Sequence, residues 1–185
     1  MQLTASIHMT DQGRVFLFDQ FFETALADRL LTFFKTSNDW QVREEYSHWP
    51  GRLVYGGQDQ VLEEIKRYAQ RPDVLKTLSQ LSEYELTLYG VDLWKDQQGY
   101  KIDPHQDFMG TDRFCHVQIY MSDHIDHGMG TAFYSDSNLK SAAFQIPYKN
   151  NSGYFMVTGQ QVWHGLPTIN RQVNRYSLQI RYSIK

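Results

Sequence analysis

A chain of 185 residues with 18 basic and 21 acidic side chains, net charge −3, is long enough to bury one substantial core and carries neither a long linker nor a repeat. So even a balance leaves no electrostatic footprint for nucleic acid or an anionic membrane, and neither is expected as a partner. The opening Met1-Gln2-Leu3-Thr4-Ala5-Ser6 has no basic start ahead of an apolar core, and no apolar run reaches membrane-spanning length, so a cytoplasmic protein is expected.

In chain order, Phe22, Leu26, Leu30, Leu31, Phe33 and Phe34 recur at helical spacing and predict a helix ending near Phe34, with Asp19 or Thr24 as its cap. The segment from Trp49 through Arg52 to Gly57 combines glycines, aromatics and an arginine, which suits a cover over a site or an ordinary structural loop. Val61, Leu62, Ile65 and Tyr68 predict a second helix over 60–69, and Pro72 suits the first turn of a third over 72–81. From Glu85 onward the pattern changes to short β segments, Leu86-Thr87-Leu88-Tyr89 and Val91-Asp92-Leu93-Trp94 first among them, separated by Gly and Asp clusters. Helices followed by a run of strands predict a single α+β domain: helical support over roughly 1–84, then a sandwich or barrel over roughly 85–185. The single cysteine, Cys115, excludes an internal disulfide and sits in an apolar strand, as a small buried hydrophobe does.

Polar residues inside the β region carry the chemistry. In a strand, side chains alternate between faces, so His105 and Asp107 of the segment Pro104-His105-Gln106-Asp107 can aim at one point while Gln106 turns away. His164, beyond the apolar run Tyr154-Phe155-Met156-Val157, can reach the same point from a neighbouring strand. Two histidines and a carboxylate on one face of a metal leave the opposite positions open, which suits ferrous iron that must take further ligands; zinc accepts the same set. Arg175 favours iron with a dicarboxylate cosubstrate, because a guanidinium fork makes two parallel charge-assisted hydrogen bonds to a carboxylate. Arg175, Ser177, Gln179 and Arg181 share one strand face, and Tyr176, Leu178, Ile180 and Tyr182 the other, which is apolar.

The motifs as a set extend this reading. Gly99-Tyr100-Lys101-Ile102-Asp103-Pro104-His105-Gln106-Asp107, Val117-Gln118-Ile119-Tyr120-Met121, Gly128-Met129-Gly130-Thr131-Ala132-Phe133, Gly153-Tyr154-Phe155, Trp163-His164-Gly165 and Arg175-Tyr176-Ser177 follow one another over roughly residues 86–185. In order and spacing they resemble the iron(II)/2-oxoglutarate-dependent dioxygenase superfamily. The resemblance implies a double-stranded β-helix, or jelly roll, braced by the N-terminal helices. It implies that His105, Asp107 and His164 hold the metal and that Arg175 grips the distal carboxylate of 2-oxoglutarate with Ser177 as helper. Tyr120 is a candidate contact to the cosubstrate, and Arg181 either a second contact or a solvated charge. The implied activity is hydroxylation of a small molecule or peptidyl side chain by dioxygen, with 2-oxoglutarate decarboxylated to succinate and carbon dioxide and ascorbate as an optional reductant. The spacing of His164 and Arg175 is similar to phytanoyl-CoA-type members, whereas prolyl-hydroxylase-type members place the basic residue closer. The step from Arg175 to Arg181 is similar to the nucleic-acid dealkylase branch, which the 128–133 segment does not support. A cupin-like metalloenzyme that does not use 2-oxoglutarate and a noncatalytic jelly-roll binding module are the alternatives.

Other polar residues have plainer readings beside sharper ones. Asp123, His124, Asp126 and His127 form either a second metal site or a solvated loop. His116 suits a hydrogen-bonded core or rim position, and Tyr89 and Trp94 are either pocket walls or packing.

Overall fold

The computed structural model describes residues 5–10, 13–46, 48–107, 114–135, 141–158 and 162–185. Residues 1–4, part of the segment read for a leader, lie outside them. Among the described residues three helices, α1 (Thr24–Thr36), α2 (Gln60–Ala69) and α3 (Pro72–Ser82), accompany twelve strands. These are β1 (Ala5–Thr10), β2 (Gly13–Phe18), β3 (Trp40–Gln41), β4 (Arg52–Tyr55), β5 (Leu86–Asp96), β6 (Ile102–His105), β7 (Phe114–Met121), β8 (Ala132–Tyr134), β9 (Ala142–Gln145), β10 (Gly153–Val157), β11 (Trp163–Leu166) and β12 (Arg175–Ile184). An eight-stranded sheet runs β1-β2-β10-β7-β12-β5-β4-β3, and a four-stranded sheet runs β6-β11-β8-β9. The two sheets form a jelly roll.

Strand alternation assigns the two faces of the large sheet to different tasks. Val117 and Ile119 of β7, Phe155 of β10, and Leu178, Ile180 and Tyr182 of β12 join one cluster with Leu30 and Phe34 of α1, Ile65 of α2 and Leu78 of α3. The residues between them, His116, Gln118 and Tyr120 of β7 and Arg175, Ser177, Gln179 and Arg181 of β12, occupy the other face, toward the small sheet. A second cluster there joins Tyr120, Tyr154 and Met156 to Phe133 of the small sheet.

The helices start and stop within two residues of the spacing-based expectation. The cap is different: Glu23 occupies the N-cap of α1 with no side-chain cap bond, Thr24 is the first helical residue, and Asp19 lies 3.4 Å from Lys149 Nζ. The N-terminal part is more than helical support, since β1 and β2 extend one edge of the large sheet and β3 and β4 the other. Arg52–Tyr55, within the segment weighed as a cover, is therefore a strand paired with β5. The expected break between Tyr89 and Val91 is also absent. β5 is continuous, and its pairing with β12 shifts between Arg181↔Gly90 and Tyr182↔Leu88, so that Tyr89 is the extra residue of a bulge.

Candidate active site

The small sheet brings the two distant histidines together. His105 closes β6, His164 lies on β11, the two are direct cross-strand partners, and their ring centroids are 4.5 Å apart. Gly165 permits this approach: a Cβ there would stand 2.7 Å from Ile102 O and 3.1 Å from Pro104 N, both backbone atoms. Two residues beyond the end of β6, Asp107 presents Oδ1 3.3 Å from His105 Nε2 and Oδ2 3.7 Å from His164 Nε2. One donor atom from each of His105, Asp107 and His164 lies within 4.8 Å of the others, the only such group of metal-ligating residues among the described residues.

Hydrogen bonds set the ligand atoms. His105 Nδ1 is 3.0 Å from Asp103 O and His164 Nδ1 is 3.2 Å from Val162 O. A carbonyl can only accept, so each Nδ1 carries a proton and each Nε2 is the nitrogen that faces Asp107 and is left for a metal. Burial pushes His164 down to about 4, so that its imidazole is neutral. Burial acts against the charged form of Asp107, but the His105 hydrogen bond and the imidazoles of His164 and His116 hold its carboxyl well below the usual carboxylate range. Burial would lower His105 as well, yet Asp107 and the Asp103 carbonyl raise it. His116, buried beside this group, has Nδ1 3.5 Å from Asp107 Oδ2 and supports the carboxylate from the large sheet.

The triad opens into a cavity of about 260 Å³ between the sheets, lined also by Arg52, Trp94, His116, Gln118, Gln179 and Arg175. Arg175 is buried, and three of its N–H groups are already committed: Nε donates to Met129 O at 2.7 Å, and Nη1 to Asp96 Oδ2 at 2.7 Å and Ser177 Oγ at 3.2 Å. Nη2 takes none of these three bonds, and the guanidinium also meets the Tyr120 hydroxyl. Ser177 touches Arg175 but does not line the cavity. Tyr120 is fully buried behind the wall, with Oη 2.8 Å from Thr131 Oγ1 and its ring 5.1 Å from the Arg175 guanidinium carbon. Arg181 and Tyr89 line the cavity at another part, where Arg181 Nη2 lies 2.7 Å from Asp92 Oδ2.

The 123–128 stretch is an ion-paired loop. Asp123 binds Lys35 at 2.7 Å and His124 at 2.8 Å, while Asp126 takes Arg171 at 2.6 Å and the Gly128 amide at 2.7 Å.

One buried residue beside the cavity wall, Asp96, escaped the sequence reading, and Arg52 entered it only as part of a cover or loop. Asp96, fully buried, joins Arg52 to Arg175. It ends a strand beside Gln97, Gln98 and Gly99, where an aspartate reads as turn chemistry, and Arg52 follows Pro50-Gly51, where it reads as a loop charge. Their alternation with Leu53 and Lys95 was the available signal, and it is short.

No protein-family model matches the sequence, and no curated protein is similar to it. Its fold is that of the 2-oxoglutarate/iron(II) oxygenases. HygX from Streptomyces hygroscopicus, solved with nickel, 2-oxoglutarate and hygromycin B, superposes with a TM-score of 0.67 at 9% identity over 94% of this chain and 84% of its own. A prolyl hydroxylase from Trichoplax adhaerens in complex with a hypoxia-inducible-factor peptide gives 0.68 at 14% identity over 94% and 84%. A Pseudomonas putida prolyl-4-hydroxylase gives 0.61 at 14% identity over 95% and 94%.

Proposed function

We propose that this protein is an iron(II)- and 2-oxoglutarate-dependent oxygenase that hydroxylates a small molecule or a peptidyl side chain. The observation that carries the reading is that His105, Asp107 and His164, remote in sequence, converge in the same cavity as the buried Arg175. The donor set fits ferrous iron: an Nε2 from each of two imidazoles and one ionised carboxylate, gathered on one side and open toward the cavity. When bound, iron with 2-oxoglutarate and dioxygen supplies oxidation of a C–H bond, with succinate and carbon dioxide as the co-products.

The chain's own contribution is position and shelter. Asp103 O and Val162 O fix the histidine tautomers, His116 supports Asp107, and Arg175 stands in the cavity wall as the cationic anchor for the distal carboxylate. The large sheet closes one side of the cavity and the small sheet the other. Structures of this fold hold a small molecule, hygromycin B, in HygX and a peptide in the Trichoplax adhaerens hydroxylase, the two substrate classes considered for this cavity.

The test is uncoupled turnover. Protein loaded with ferrous iron and given 2-oxoglutarate in air is expected to form succinate, and His164→Ala to form none. No succinate from the iron-loaded parent would leave the cupin-like enzyme and the noncatalytic binding module in its place. A screen of metabolites and peptides for stimulation of that release then identifies the substrate.

A further inference from the structure

Two guanidiniums share one carboxylate in the wall of the cavity. Arg52 Nε and Nη2 lie 2.7 and 3.1 Å from Asp96 Oδ1 and Oδ2, and Arg175 Nη1 lies 2.7 Å from the same Oδ2. Arg52 is 4% exposed, Arg175 3% and Asp96 0%, so two positive charges and one negative charge are held in one cluster with little access to water. The hydroxyls around Arg175 do not supply the missing charge: burial pushes those of Tyr100, Tyr120 and Tyr148 all upward and keeps them protonated. A net positive charge away from water is costly unless an anion completes it.

The remaining N–H groups are the ones open to such an anion. Nε and Nη1 of Arg175 are used, which leaves only Nη2 of the fork expected to clasp a carboxylate by itself. Arg52 has Nη1 left. Its guanidinium carbon stands 4.0 Å from the Trp94 ring centroid and 4.6 Å from that of Tyr100, which fixes its plane. Trp94 also lines the cavity, and its buried Nε1 donates to nothing among the described residues.

We propose that the distal carboxylate of the cosubstrate is held by Arg52 together with Arg175, with Asp96 fixing the pair, and that Arg52 thereby selects a dicarboxylic over a monocarboxylic 2-oxo acid. The proposal rests on the 2-oxoglutarate reading above for the identity of the anion. Each guanidinium gives one charge-assisted bond where a single free fork would give two, and the shared carboxylate lowers the cluster's charge to that of one cation. A second dicarboxylate-binding arginine from β4 ties cosubstrate recognition to the N-terminal part of the chain.

The experiment compares 2-oxoglutarate with 2-oxovalerate, the same chain without the distal carboxylate, by calorimetry on the ferrous protein without oxygen. Arg52→Met is expected to weaken 2-oxoglutarate by about 10- to 100-fold, the loss of one charge-assisted hydrogen bond, and to leave 2-oxovalerate and iron content unchanged. Parent-like 2-oxoglutarate binding in Arg52→Met, or equal weakening of both acids, overturns the proposal. Should Arg52→Met not fold, Arg52→Lys must show a smaller selective loss of 2-oxoglutarate, and unaltered selectivity there overturns it. Should the parent prove not to bind 2-oxoglutarate through the metal, glutarate is titrated into metal-free protein. Binding that falls in both Arg52→Lys and Arg175→Lys supports the paired site without the oxygenase reading, and the absence of glutarate binding overturns both.

Discussion

Gly165→Ala tests whether the approach of β11 to β6 is what builds the metal site. The added Cβ would stand 2.7 Å from Ile102 O, 0.7 Å inside the 3.4 Å at which ordinary contact begins, and 3.1 and 3.2 Å from Pro104 N and Cα. All three are backbone atoms, so no rotamer relieves the clash and the strands must part. Overpacking of this kind costs about 1–3 kcal/mol. In a chain of this size each kcal/mol lowers Tm by about 2–4 °C, which gives a fall of roughly 2–12 °C. The effect on the metal is the larger one, because His164 precedes Gly165 and pairs directly with His105. Coordination tolerates about 0.2 Å, so a shift of the order of the clash should weaken metal binding by about 10- to 100-fold. Chelator competition reads the affinity, and thermal melts with and without metal read the stability. Parent-like metal affinity in Gly165→Ala would refute the idea that this strand contact sets the ligand geometry.

His105→Ala, Asp107→Ala and His164→Ala should each abolish iron retention and succinate formation, while Gln106→Ala keeps both; metal analysis after desalting decides. Arg175→Lys should raise the 2-oxoglutarate requirement about 10- to 100-fold with iron content unchanged, read from succinate formation at varied cosubstrate. The metal-free protein should lose stability as pH falls from 6.5, the ordinary value for His164, toward about 4, its buried value. The unfolded chain takes up that proton first, so stability is present above this window and lost within it, and pH-dependent urea melts should show the fall. Cys115, fully buried and pushed up to about 12 by burial, should resist iodoacetamide in the native protein and react once it is unfolded.

Strong periodicity made part of this architecture legible from sequence. The helical stripes of α1 and α2 and the apolar set Leu178, Ile180 and Tyr182 could be read because each repeats its pattern over two or more turns or strand pairs. Residues 105, 107 and 164 stood out as a ligand set because their chemistry is uncommon among β segments, and the structure gathers them. Short elements were harder. Val15-Phe16-Leu17-Phe18 has no alternation, and β3 and β4 span only two and four residues, so their membership of the sheet is decided by neighbours far away in the chain. The bulge at Tyr89 looked like a boundary because a glycine beside it weakens a strand pattern whether the strand stops or merely kinks. Asp96 was invisible for a different reason: a buried carboxylate is defined by the two cations it meets, and Arg52 and Arg175 lie 44 and 79 residues from it.

The division of the large sheet into an apolar face under the helices and a face shared between the cavity and a second, smaller core has an evolutionary consequence. Residues that hold the protein together and residues that meet ligands alternate along the same strands, so neighbouring codons answer to separate selection. Gln118 can change without disturbing Val117 and Ile119, and Gln179 without disturbing Leu178 and Ile180. A scaffold organised in this way can exchange one substrate for another by drift in the cavity face alone, its folding reserve intact on the opposite side.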